Sequence, residues 1–416
     1  MRFQIGLVAV LASACTGSID TGGDNPPPPP PVTDVQIVVQ DAASPQANVR
    51  VLFQNADGSL IAEVATDTAG RAVSEMPNGG NLTVIRTFPM AVDPNLQRYP
   101  EIYSYVGIKA GDRLVLGNET DTLGSPGAIN VKVPTGAQGT VTVLTSCGSG
   151  QGTAPNVAIT TAGCPANLSF YITDANQDSL VAKAAYSSSV DISQGMLSQN
   201  LSTTLSAQNV LPGMSQVDAE VRIVDGTFAL YSSTPKRIDA QNATINLPHV
   251  DGVDELVVAT IRATDGTQLV ADRRAYSPTP TIVDAGAGVI PYVTTPTYAP
   301  TGISWIEKGT GAADFVIATI DVTPGPQGGG TLAPYRRVIV APHSGTSLPL
   351  PRLVGADSIF NPTAGDQLAG THGIVRATGG YDAARAHVFS VTSVVQTAPM
   401  GGMVTVSYAG NNPPTL

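Results

Sequence analysis

The side chains able to do chemistry in this chain are few and widely spaced. His249, His343, His372 and His387 are its four histidines, and no two stand at the i, i+4 spacing that sets paired metal ligands on one helical face. Nucleophilic catalysis needs a serine or cysteine beside an activating base, and the chain holds no Gly-x-Ser-x-Gly turn to present one. Pro342-His343-Ser344-Gly345-Thr346-Ser347 sets a histidine among hydroxyls. Adjacent side chains on an extended segment point apart, so this stretch reads as a polar loop. Asp174-Ala175-Asn176-Gln177-Asp178-Ser179 carries oxygens at alternate positions, as a calcium loop does. It lacks the central glycine, and Ala185 stands where the twelfth-position glutamate belongs; a solvated turn is the better reading. Trp305, the only tryptophan, lies in Ile303-Ser304-Trp305-Ile306-Glu307 and reads as a core anchor ahead of a ligand-stacking platform. Gly379-Gly380-Tyr381-Asp382-Ala383-Ala384-Arg385 joins paired glycines, which permit close backbone approach, to an acid and a base that pair across a turn. It reads as a structural corner, with part of a binding surface as the other reading. None of these sets fixes a reaction, and no catalytic residue, metal ligand or cofactor is expected.

Composition narrows the function classes. Charged residues make up 13% of the 416, yet the net charge is −11. Phosphate contacts need clustered lysine and arginine, so the acidic balance argues against nucleic-acid binding. It argues equally against adhesion to anionic lipid through the protein surface. Glycine (43) and proline (33) are frequent and long helical periodicities are missing, which suits short strands and many turns.

The first fifteen residues have a texture of their own. A charged tip at Arg2 precedes an apolar core over residues 5–11, followed by Ala12-Ser13-Ala14-Cys15. The apolar stretch is too short for a spanning helix, which needs about 20 residues; its layout is that of a secretory signal peptide. The small residues directly before a cysteine resemble a bacterial lipoprotein signal, with Ala12 standing where a larger aliphatic residue is more usual. The resemblance implies that Cys15 is lipidated and becomes the new N-terminus, anchoring the protein to a membrane. By the enterobacterial sorting rule, Thr16 rather than Asp after the cysteine implies the outer membrane, on its periplasmic or cell-surface face. Residues 16–31 then form a tether that ends in a proline run over 26–31. Such a run extends at about 3.1 Å per residue as polyproline II, a spacer rather than a ligand for aromatic grooves. With Cys15 set aside, Cys147 and Cys164 remain, an even pair that should be oxidised in an exported protein. Two separate buried thiols are the alternative. A zinc site is disfavoured, since no histidine is near in sequence and the spacing fits no ligand pair. A bridge over so short a loop contributes roughly 3 kcal/mol.

The rest of the chain is written in strands and turns. Residues 35–39, 48–53, 60–64 and 82–85 are apolar or alternating, with Asp57-Gly58 as a hairpin turn and Thr66-Asp67-Thr68-Ala69-Gly70-Arg71 as a second. This set, with Pro45 and Asn48-Val49-Arg50-Val51, resembles a carboxypeptidase-regulatory-like, transthyretin-type module over about residues 33–118. The resemblance implies a seven-strand sandwich serving as stalk, spacer or binding module, and no catalytic residues. Further strands are expected at 128–133, 140–145, 156–159, 167–172 and 180–186. Beyond them, strands are expected at 217–223, 227–231, 243–247, 256–262, 268–273, 314–322, 335–341, 373–377, 387–394 and 403–408. The expected fold is all-β, with several sandwich modules in tandem after the signal peptide (1–15) and tether (16–31): a first module over 32–118, a disulfide-bearing region over 128–189 and a large region over 190–416. The expected function is a structural, adhesive or ligand-binding role at the cell envelope, with a protein or glycan partner and the membrane reached through the lipid. An envelope hydrolase or glycan-processing enzyme on the same scaffold is the alternative.

Overall fold

A computed structural model describes residues 32–41, 44–87, 99–117, 127–199, 290–325, 333–386 and 404–410, short gaps apart, and the backbones of the strands within 201–284. Cys15, the tether, His387 and the strand expected at 387–394 lie outside the described residues. The fold is all-β. Its largest element is a 13-stranded sheet. From one margin it runs through Leu60–Ala65, Arg50–Gln54, Gly80–Arg86 and Glu101–Ile108 to Tyr335–Pro342, Phe315–Thr323, Gln367–Ala377 and Val404–Gly410. It continues through Gln268–Ala275, Glu255–Ala263 and Met214–Asp225 to Phe228–Ser232.

The central strands are apolar on both faces because both faces are covered. Along Phe315–Thr323, Phe315 and Ile317 enter one core while Val316, Ala318 and Ile320 enter another. Along Tyr335–Pro342, Val338 and Val340 enter the first, and Tyr335, Ile339 and Ala341 the second. A period of two sends successive side chains to opposite sides of a sheet, so one continuous apolar run serves two cores. Over one face lies a four-stranded sheet centred on Asp34–Asp41, antiparallel to Arg71–Glu75 and parallel to Arg113–Leu116. It contributes Val35, Ile37, Val39, Ala72, Leu114 and Leu116. Over the other face lie segments 290–308 and 347–360, which contribute Tyr292, Ile303, Trp305, Leu348, Leu353 and Phe360.

This arrangement corrects the expectation of a self-contained first module. Glu101–Ile108 pairs in parallel with Tyr335–Pro342, from Glu101 opposite Arg336 to Tyr105 opposite Val340. Arg50–Gln54, Leu60–Ala65, Gly80–Arg86 and Glu101–Ile108 therefore share one sheet with Tyr335–Pro342, Phe315–Thr323, Gln367–Ala377 and Val404–Gly410, and residues of the first module enter both cores. The physical reason is that Glu101–Ile108 buries both of its faces and needs a neighbour on each side, and the first module has no further strand for its second edge.

Residues 127–199 behave differently. They form an eight-stranded sheet of their own, and its core draws on Ile129, Val131, Val141, Val143, Val157, Ile159, Leu168, Phe170, Ile172, Val190 and Ile192. The strands Ser189–Asp191 and Ser198–Gln199 belong to this sheet, so the boundary expected at 189–190 falls inside it. In its interior, Gly148–Thr153 sets Gly148, Gly150 and Gly152 on one side. A Cβ at Gly148 would stand 2.1 Å from Thr160 O, and one at Gly150 2.2 Å from Ala158 O. Glycine is what lets this strand lie against its neighbour. Cys147 and Cys164 are bonded, with Cα atoms 5.2 Å apart; the bridge joins the turn entering this strand to the chain leaving Asn156–Thr161.

Candidate functional site

The polar side chains that converge lie on the face covered by segments 290–308 and 347–360. Trp305 Nε1 donates to Glu307 Oε1 at 2.7 Å, and His343 Nε2 lies 2.7 Å from the same oxygen. The Glu307 and His343 side chains keep 16% and 17% of their exposure, so this carboxylate sits at the rim, within reach of water. Backbone pairing holds the three residues: Trp305 N donates to Thr346 O at 3.0 Å, His343 N donates to Asp314 O at 3.0 Å, and Glu307 pairs with Val293. Beneath them Trp305 lies against His372, ring centroids 4.6 Å apart. His372 is fully buried. Ala318 and Ala409 are its cross-strand neighbours, and their small side chains leave room for the indole. Neither ring nitrogen of His372 has a partner, and burial pushes its pKa down to about 3. His372 is therefore neutral at physiological pH.

Chemically the arrangement is a largely buried acid–imidazole pair at the rim, with an indole donor fixed to the acid. Among the described residues no hydroxyl or thiol is bonded to His343, and no group of three or more His, Cys, Asp or Glu side chains is placed to hold a metal ion. The indole N–H aimed at Glu307 Oε1 also opposes a cation there. Trp305 is 6% exposed, which makes it a core anchor and leaves no face free to stack a ligand. The side chain of His249 lies outside the described residues.

The same face holds a buried cation that sequence reasoning missed. Arg337 is 1% exposed. Its Nη2 donates to Pro351 O, its Nε has no partner, and desolvation lowers its pKa to about 10. Gln54 Nε2 donates to Arg352 O at 3.1 Å, Arg50 pairs with Asp357, and Asn361 exchanges two bonds with the Leu353 backbone at 2.8 and 2.9 Å. Together they strap residues 351–361 over the core. The one signal in the sequence is a pair of arginines, Arg336-Arg337, opening an apolar run.

The glycine motif near the end forms a corner. Gly379 and Gly380 have φ of 81° and 66°, which admit the chain into the short helix Gly380–Ala384. Arg385 pairs with Asp382 as expected, and also forks onto both carboxylate oxygens of Asp112, at 2.7 and 2.8 Å. Lys109 reaches Asp382, and the Tyr381 hydroxyl donates to Val106 O at 2.6 Å. The corner thus fastens the chain near residue 380 to the turn over residues 108–113. Asp174, the head of the calcium-like loop, accepts from the backbone N–H groups of Asn176, Asp178 and Gln138. Those bonds consume its oxygens within a turn. Asp67 likewise accepts from Ala69 N and Arg71 N.

Neither a family model nor a curated protein sequence matches the chain. Among solved structures it is matched to "The Bacillus anthracis TIE protein" at 14% identity, with a TM-score of 0.15, over 61% of this chain and 50% of that one. The chain thus spans about half the length of that structure, and a superposition this loose carries no argument about fold or role.

Proposed function

We propose that this is an exported, lipid-anchored envelope protein whose layered β-structure is held off the membrane by the proline run and presents loops and strand margins to a protein or glycan partner, without catalysis. The observation that carries the reading is the passage from a charged tip through a short apolar core to Ala12-Ser13-Ala14-Cys15, followed directly by a polar and proline-rich tether. The Cys147–Cys164 bond supports it, because disulfides persist in oxidising compartments. The consumption of the polar groups supports it as well. Glu307, Asp174 and Arg385 are each held by partners within the fold, as suits a scaffold. The transthyretin-type resemblance of the first strands accords with a stalk or binding role.

The experiment is fractionation of cells producing the protein and its Cys15→Ser variant. The reading expects wild type in the membrane fraction and the variant in the soluble periplasmic or secreted fraction. A variant that stays with the membrane overturns it.

A further inference from the structure

Tyr335 and Arg337 stand two positions apart on the strand Tyr335–Pro342, so both side chains leave the sheet on the same face, the one covered by residues 351–361. Their surroundings are apolar. Arg337 lies between Ile320 and Ile102 on the neighbouring strands, with Ile339 next along its own, all three fully buried. Phe360 packs edge-on to the Tyr335 ring, centroids 5.3 Å apart. In this setting the Tyr335 hydroxyl and Arg337 Nε are both buried without a partner. The acceptor of Nη2, Pro351 O, is a neutral carbonyl. No carboxylate pairs with the guanidinium among the described residues. Asp357 is taken by Arg50, and Asp366 accepts from the backbone N–H groups of Gly325 and Thr363, at 2.9 and 2.7 Å. Arg337 nonetheless keeps its charge at neutral pH, since burial lowers its pKa only to about 10. A buried cation with no counter-charge is strongly destabilising. A water molecule can accept the two hydrogens, but it cannot balance the charge.

We propose that Tyr335 and Arg337 hold a small monovalent anion of chloride size beneath residues 351–361, between the phenolic O–H and the guanidinium Nε–H. Both hydrogens then have an acceptor, and the guanidinium has its counter-charge. Phe360 against one residue and the Pro351 carbonyl against the other close the site over. That cover limits the occupant to an ion of one or a few atoms and excludes a carboxylate carried on a larger ligand. The anion is then a structural part of this core, binding the folded chain and holding residues 351–361 in place. The proposal is independent of how the N-terminus is anchored and of any partner at the envelope.

Thermal unfolding of the full chain, dialysed free of halide and titrated with sodium chloride against sodium gluconate at constant ionic strength, tests it. A ligand that binds only the folded state stabilises it by mass action. The wild-type melting temperature is therefore expected to rise with chloride, beyond the gluconate series. Tyr335→Phe keeps the ring against Phe360 and loses one donor, and its rise is expected to need about tenfold more chloride. Arg337→Met removes the charge and the other donor, and is expected to abolish the rise. Crystals grown in bromide locate the ion directly, with an anomalous peak expected in contact with Tyr335 Oη and Arg337 Nε. Should Arg337→Met fail to fold, Tyr335→Phe and the bromide map decide the question. A wild-type melting temperature indifferent to chloride, a chloride response unchanged in Tyr335→Phe, or density at the two donors with no anomalous signal, as water gives, overturns the proposal.

Discussion

His372 has the least ordinary surroundings of any titrating side chain described: full burial, an indole against its ring, and no partner for either nitrogen. In the unfolded chain a histidine titrates near 6.5, whereas in the fold its pKa is lowered to about 3 by burial. Between those values the unfolded chain binds a proton that the folded chain does not, so stability falls as pH falls. From pH 7 to pH 5 this one residue costs roughly 2 kcal/mol. Urea midpoints measured at both pH values should drop further for wild type than for His372→Leu; equal drops would contradict the account. Reading the sequence alone could not reach this. His343 and Glu307 are 36 positions apart, and nothing local to either names the other. Trp305 was legible as a core anchor because it sits in an apolar run. Arg337 was not, because a lone guanidinium in a strand is ordinarily at the surface. The roles of Asp67 and of Asp174 were legible as turn chemistry, since each bonds backbone N–H groups a few residues on.

Most strands were legible as elements. The readings at 217–223, 256–262, 314–322 and 335–341 fall within Met214–Asp225, Glu255–Ala263, Phe315–Thr323 and Tyr335–Pro342, save for residue 314. Apolar alternation and glycine-rich turns mark where a strand is, because they are local consequences of its pleat. They do not mark its neighbour. The Gly148–Thr153 strand shows the difference: three glycines in six residues leave no apolar alternation to mark it, yet it is an interior strand with glycine at every position of one face. Gly150→Ala should lower the melting temperature, with a loss of about 1–3 kcal/mol, as overpacking costs, since its Cβ would stand 2.2 Å from Ala158 O. Gly136→Ala is the control, with nothing within 4 Å of its Cβ, and should change little. Equal effects at the two sites would mean that close approach is not what requires glycine at 150.

Across the whole molecule, chain order and spatial order diverge. Four strands between residues 50 and 108 join edge to edge, at Glu101–Ile108 and Tyr335–Pro342, with strands from 315–342, 367–377 and 404–410 in one sheet, while 127–199 forms another between them in sequence. The chain changes sheet between Arg113–Leu116 and Gly127–Lys132, but composition carries no information on which distant strands complete the first one. Two fragments separate the cases. Residues 32–118 should aggregate, because Glu101–Ile108 would lose its Tyr335–Pro342 neighbour and bare an apolar edge. Residues 127–199 should be soluble and β-rich with a cooperative melt, losing roughly 3 kcal/mol on reduction of the disulfide. A soluble, cooperatively melting 32–118 fragment would contradict the shared-sheet account. The central claim, that the chain is carried to an envelope membrane and held there through Cys15, is tested most directly by mass spectrometry of the N-terminal peptide from membrane-extracted protein. The account predicts a peptide that begins at Cys15 and carries acyl chains; a peptide that retains Met1, or begins with an unmodified residue, would contradict it.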